Sequence, residues 1–366
     1  MKIGILTWYY AMNHGARAHT YALLRTLREM GYEAEIIAYQ SWHSYIDVEP
    51  YWVISKHLPR LIRRIKYRLY FKQSEKGYGY LSKKVHTVKE INRLGYDLII
   101  LGSDEIFNIN HLITSKDYIY FGVGIDENTP TITYAVSCGQ SDANIIWPPV
   151  VVNSVKNIKA LSVRDKNSQQ IINNNTGMEP TLVLDPTLLY DFDGVSDNNW
   201  QNRSYVLIYT FGFVEAYKEQ IVEYSRKNKL KIICVGNTYE WADINIQYPT
   251  QAQWYAAFKY ADLVITNSFH GTIFAIKNHK RFVNIHLDDK VTKISNLLEQ
   301  FGLRFDDRLM TKEKKLEMCI KKEVNYDEID PIIDEYRVIS LKWLRCEIDN
   351  NIKDKKDKNN PKIKKG

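Results

Sequence analysis

Cysteine is scarce. The four, Cys138, Cys234, Cys319 and Cys346, lie far apart, and none forms a Cys-x-x-Cys pair. That argues against a zinc site or a disulfide framework and fits a reducing cytosol. Long apolar runs are missing too: no stretch of about 18 apolar residues occurs, so no segment reads as a membrane span. Met1 to Thr7 holds too short an apolar run for a signal peptide and lacks a small-residue cleavage pattern, so it reads as a first buried strand. No Gly-x-Gly-x-x-Gly fingerprint, no P-loop and no internal repeat is present.

The chain has 366 residues, enough for two domains with separate cores, and is 45% hydrophobic and 25% charged, as an ordinary globular protein is. Its net charge of +7 is unevenly placed. Lys353 to Lys365 carries seven lysines against Asp354 and Asp357, and residues 351–366 read as a basic disordered tail. Lys56 to Arg93 carries twelve Lys or Arg against Glu75 and Glu90. Within it, Ile54 to Lys72 places Leu58, Leu61, Ile62, Ile65, Leu69 and Tyr70 at helical spacing, with cations on the other face and Tyr51 and Trp52 just before. That pattern suits a helix lying on an anionic inner membrane, and equally a basic helix packed on its own domain. No nucleic-acid-binding motif accompanies the charge.

Strand-like runs alternate with helical patterns. The runs are Lys2–Tyr9, Ala34–Tyr39, Asp97–Leu101, Thr131–Val136, Ala160–Arg164 and Thr181–Leu184, then Ser204–Tyr209, Leu230–Val235, Asp262–Thr266 and Arg281–Ile285. Helical spacing marks Ala16–Met30, Val214–Lys227, Thr250–Tyr260 and Tyr326–Ile352. Alternation of this kind predicts parallel sheets covered by helices. The polar stretch 191–203 reads as a linker between an N-terminal α/β domain, 1–190, and a C-terminal one, 204–350, that includes the last helix. Two such Rossmann-like domains facing across a cleft form a GT-B-like architecture.

The densest signal is Asp262 to Lys290. An apolar run, Leu263–Ile265, leads into Thr266-Asn267-Ser268-Phe269-His270-Gly271-Thr272, then a short helical pattern and a second apolar run. Backbone N–H groups at a helix N-terminus, with the positive end of its dipole, make an anion site. A histidine there adds a proton donor, although a structural histidine at a turn is the plainer reading. Arg164 follows a strand-like run, beyond whose carboxyl end ligands sit in open α/β sheets. It can grip a carboxylate or phosphate, or pair with Asp165. Asp104 follows Leu98–Leu101 and a Gly-Ser turn, as a helix N-cap or as a base for a hydroxyl. Asn13-His14-Gly15 forms the first strand–helix turn. Lys290 reads as a solvated lysine.

The Ser-Phe-His-Gly turn resembles the polysaccharide pyruvyl transferase family, and other segments agree in order. They are Asn13-His14-Gly15-Ala16, Tyr96 to Asp104, Thr133 to Gly139, Ser162-Val163-Arg164-Asp165, and Leu184-Asp185-Pro186-Thr187. Lys290 lies twenty residues beyond His270, where the family carries a lysine. Glu105 and Phe107 depart from the amide and the tryptophan often found there, which leaves acceptor contacts open.

The resemblance implies an enzyme that transfers pyruvate from phosphoenolpyruvate to a sugar of a bacterial surface polysaccharide, or of its lipid-linked precursor, as a ketal. It implies His270 as donor-binding acid and Asp104 as base or hydroxyl orienter. Arg164 and Lys290 would bind the donor, with Lys293 a competitor for Lys290. Ser268 and Gly271 would line the donor turn and Asn13 and Gly15 the acceptor side. It implies no metal and no cofactor, a saccharide acceptor, and no nucleic acid. Two other classes stay open: a GT-B glycosyltransferase using a nucleotide sugar, and a non-catalytic glycan-binding protein.

Overall fold

The computed structural model describes residues 1–48, 54–212, 214–285, 291–311 and 314–359. The chain divides into two compact units, Met1–Tyr190 with Glu335–Gly366, and Asp191–Asp334.

The first unit is built on six parallel strands in the order β2-β1-β3-β4-β5-β6. They are β1 (Lys2–Leu6), β2 (Glu33–Ile36), β3 (Leu98–Asp104), β4 (Thr131–Val136), β5 (Ser162–Val163) and β6 (Thr181–Leu182). Strands covered on both faces need continuous apolar sequence, and β1, β3 and β4 supply it. β1 is flanked by β2 and β3, with Ile3 opposite both Ala34 and Leu98. From β1 the chain runs through helix His14–Glu29 to the edge strand β2, then returns to β1's other side at β3. The reversal falls between β1 and β3, the place where open α/β sheets leave a crevice beyond their strand ends. Gly102 in β3 is required: a Cβ there would stand 2.9 Å from the Tyr134 carbonyl oxygen.

The second unit repeats the plan with the order β12-β11-β10-β7-β8-β9. Its strands are β7 (Tyr205–Tyr209), β8 (Lys231–Val235), β9 (Ile244–Ile246), β10 (Leu263–Thr266), β11 (Arg281–Ile285) and β12 (Leu309–Met310). Here the order reverses between β7 and β10, which pair in register from Leu263–Val206 to Thr266–Tyr209. Helix Gln251–Lys259 opens on a capping box in which Thr250 and Gln253 satisfy each other's backbone.

Four expectations need correction. The stretch 191–203 is not a free linker: Phe192 and Trp200 are buried in the second unit, against Tyr255 and Phe274 and against Tyr205. Its polar letters hid two aromatic anchors. The last helix, Tyr326–Asn359, counts with the first unit from Glu335 onward rather than with the second. There Ser340 Oγ accepts from Leu184 N at 2.9 Å, Arg337 donates to the Leu188 carbonyl, and Tyr32 donates to Asp349 at 2.7 Å. The expected tail is helical through Asn359, and only 360–366 lie outside the described residues. Finally, β9 and β12 were missed, because strands of three and two residues carry too little periodicity to read.

Candidate active site

The second unit's reversal point is where β10 passes into helix Phe269–Lys277. The joining turn is held by its own side chains. Asn267 accepts from Phe211 N at 2.9 Å and donates to the Gly212 carbonyl at 3.3 Å, tying the end of β10 to the end of β7. Thr266 Oγ1 accepts from Ser268 N at 3.1 Å. Ser268 is the N-cap, its hydroxyl accepting from Gly271 N at 3.3 Å. Thr272 closes the first turn onto the Ser268 carbonyl, and Asn284 from β11 donates to the Thr272 hydroxyl at 2.8 Å. Gly271 leaves no room for a side chain, since a Cβ there would lie 2.2 Å from Thr266 Oγ1 and force the turn to shift. Behind the turn, Phe274 packs on Trp254, Tyr255 and Phe258.

His270 is thus held in the first turn of a rigid helix, 5% exposed, its ring edge-on to Phe269. The positive end of the helix dipole faces this turn. Ser268 and Gly271 fall beside His270 as expected, and the structure adds their local roles as cap and close-contact position. Lys290 lies outside the described residues. Lys293 is partly buried in helix Val291–Gln300.

In the first unit, motifs that stood far apart in sequence converge beyond the carboxyl ends of β3, β4, β5 and β6. Arg164, 5% exposed, donates through Nη1 to Asp185 Oδ2 at 2.8 Å and through Nη2 to Asp104 Oδ1 at 3.1 Å. Burial opposes the guanidinium's charge, but Asp104 and Asp185 outweigh it and hold the group well above its ordinary pKa. Asp185 is fixed in turn by the Thr187 backbone N–H and hydroxyl. The alternative partner, Asp165, is engaged elsewhere. Asp165 instead caps helix Lys166–Thr176 by accepting from Ser168 N, and accepts from the Ser137 hydroxyl at 2.7 Å.

Asp104 is not an N-cap, for it ends a strand and no helix follows at once. Its backbone is left-handed, φ 68°, a conformation that aspartate tolerates better than most residues. Its second oxygen, Oδ2, lies 3.4 Å from Nε2 of His19, which is fully buried on helix His14–Glu29. The neighbouring Cys138 is also fully buried, and burial drives its thiol pKa far up, which removes it as a nucleophile.

Asn13 acts as a helix cap. Its Oδ1 accepts from Gly15 N at 2.8 Å and Ala16 N at 3.4 Å, closing the start of the helix that follows β1. The Gly15 N–H is therefore directed at its own cap. Close to this turn, also at the carboxyl end of β1, a small open recess is lined by Tyr9, Tyr10, Arg68, Lys72, Glu75 and Lys84. Sequence reasoning missed His19, and it gave Asp185 no chemical role. The letters next to each gave no hint of a partner, because each pairs with a residue distant in sequence. Among the described residues no group of three or more His, Cys, Asp or Glu is placed to hold a metal ion.

Two doubly wound parallel sheets, each with polar groups gathered beyond its strand ends, define a two-unit α/β protein of the GT-B fold class. The likeness extends to solved structures. A UDP-GlcNAc 2-epimerase from Neisseria meningitidis, bound to UDP-GlcNAc, superposes with a TM-score of 0.50 at 8% identity, over 93% of this chain and 94% of that one. A UDP-N-acetylglucosamine 2-epimerase from Rickettsia bellii gives a TM-score of 0.50 at 9% identity, over 96% and 97%. At such identities the likeness speaks for fold alone. No curated protein matches the chain. The family model for polysaccharide pyruvyl transferase matches residues 13–289, and the chain belongs to that family.

Proposed function

We propose that this protein transfers pyruvate from phosphoenolpyruvate to two hydroxyls of a sugar in a bacterial surface polysaccharide or its lipid-linked precursor, forming a ketal. Family membership supports the reaction class. The observation that carries the donor assignment is the His270 turn, a capped helix N-terminus at the second sheet's reversal point with an acid–base side chain in its first turn.

The chemistry asks for few parts. A proton added to the methylene carbon makes C2 of the donor electrophilic. One sugar hydroxyl adds to C2 and loses its proton. A second hydroxyl displaces the phosphate, whose C2–O bond breaks, and closes the ring. The two hydroxyl protons end on the new methyl group and on the departing phosphate. No electron is transferred, so the reaction calls for no redox cofactor.

His270 donates the proton, and the helix dipole with Ser268 favours the donor's negative charge. Lys290 meets the phosphate. Asp104 receives the hydroxyl proton or aligns the hydroxyl. Arg164 changes role from the one its sequence implied. With its guanidinium already bonded to two carboxylates, it serves better as the residue that holds Asp104 in place than as a grip on the donor. The partners are then phosphoenolpyruvate and a saccharide acceptor.

The test is turnover. Phosphoenolpyruvate and a panel of free and lipid-linked saccharides should give acceptor-dependent phosphate release, with the acceptor gaining the mass of one pyruvylidene group. Phosphate release without any gain by the acceptor would contradict the reading.

A further inference from the structure

Helix Leu58–Ser74 shows an apolar stripe to solvent. Leu58 is 65% exposed and Leu69 58%, with Ile62 and Ile65 also exposed. At 100° per residue these four fall within about 60° of one another. The face opposite is the one that packs, through Phe71, the helix's one fully buried side chain among those described. Its C-terminal end is fastened to the first unit. Buried Arg17 lies over the Phe71 ring at 4.8 Å and donates to Ser74 Oγ at 2.9 Å, and His14 packs against Phe71. An ordinary surface helix turns its apolar side inward, and this one turns a second apolar side outward.

Charge identifies what covers that face. Residues 54–74 hold seven Lys or Arg and no Asp or Glu. Lys66 and Arg63 flank the stripe on one side, Lys72 and Arg68 on the other. A second copy of the chain would bring these cations against their own kind. A nucleic acid would answer the charge and leave the stripe in water. A bilayer with anionic headgroups answers both, since apolar side chains enter the acyl boundary while lysines and arginines reach up to the phosphates. Tyr45 lines the recess beside Arg68 and Lys72, and its neighbours Trp42 and Ile46 are exposed as well. No helix among the described residues is long and apolar enough to cross a membrane, so the contact is peripheral.

We propose that the Leu58–Ile62–Ile65–Leu69 face, with its flanking cations, is a docking surface for an anionic lipid bilayer. The docked helix is anchored at the Asn13–Arg17 turn, beside the recess at the end of β1. A lipid-linked acceptor lying in the same membrane would therefore be met by the acceptor side of the first unit. That consequence rests on the proposed reaction; the docking itself does not.

The experiment is co-sedimentation of the whole protein with phosphatidylcholine vesicles, with and without phosphatidylglycerol, in the absence of donor and acceptor. Wild type should bind the anionic vesicles and release at high salt. Ile62→Ser, Ile65→Ser and Leu69→Ser together should weaken binding by roughly tenfold or more. Arg63→Gln with Lys66→Gln should weaken it by about tenfold or more as well. The C-terminal lysines would draw any version of the chain to an anionic surface, so the apolar triple, which leaves every charge in place, decides. All these side chains are exposed, and an unchanged thermal midpoint checks that the variants fold. The proposal is overturned if wild type stays off the vesicles or the apolar triple binds as wild type does. It is also overturned by a dimer that the triple dissolves, or by an oligonucleotide that displaces the vesicles and binds the triple undiminished. Because no substrate is present, failure here leaves the reaction to be judged by turnover alone.

Discussion

The two candidate regions are built from opposite materials. In the first unit, charged side chains are buried or half-buried and answer one another: Arg164 between Asp104 and Asp185, with the buried His19 ring at the far side of Asp104. In the second, the His270 turn holds its shape with neutral groups, an amide strap from Asn267, hydroxyls of Thr266, Ser268 and Thr272, and a glycine that no larger residue can replace without a shift of the turn. A buried network of charges is costly to break, because each orphaned charge loses water without gaining a partner. A neutral turn on a helix N-terminus adds no negative charge against the dipole's positive end, which favours an anion from outside. On the proposed reading, the second unit takes the donor and the first supplies fixed acid–base positioning.

Breaking each region should separate these roles. The largest loss of stability is expected from Arg164→Ala, which leaves Asp185 buried and Asp104 half-buried without their cation. Urea unfolding should show about 3–5 kcal/mol lost. His270→Gln should do the reverse, lowering kcat by roughly 10²–10⁴ while moving the unfolding midpoint far less than Arg164→Ala does. Equal stability losses at the two sites would erase the distinction. Gly271→Ala forces Thr266 and the turn to shift, and about 1–3 kcal/mol of stability should go with it. Donor affinity should fall in the same variant, as titration with phosphoenolpyruvate would show. The smallest effect is expected at Asn13→Ala, about 1 kcal/mol for a lost helix cap. If that variant instead abolished acceptor use at unchanged stability, Asn13 would be a binding residue first and a cap second.

Much of this was legible in the chain itself. Every strand but β9 and β12 fell within a strand-like run, and the central β1, β3 and β4 read most plainly because strands covered on both faces admit little but apolar residues. The His270 turn was legible for a local reason: strand end, cap, histidine, glycine and helix are contiguous, so one reading frame holds the whole device. The Arg164 network was not. Its members come from β3, β5, the segment after β6 and the first helix, and nothing near Asp185 or His19 shows that they meet. Arg164 was recognised as an anion-binding group, and its anions turned out to be the protein's own. The linker misreading has a similar root, since two buried aromatics among polar neighbours outweigh the polarity of the rest. For the helix Leu58–Ser74, periodicity revealed the apolar positions but not which of them face water.

The proposed reaction stands or falls on phosphoenolpyruvate binding at the His270 turn. Calorimetric titration of phosphoenolpyruvate into wild type and His270→Ala, with uridine diphosphate as the control ligand, tests it most directly. Saturable phosphoenolpyruvate binding that the substitution weakens about tenfold or more, with no binding of uridine diphosphate, is the predicted result. Tight uridine diphosphate binding with no response to phosphoenolpyruvate would contradict the claim and make the protein a nucleotide-sugar enzyme.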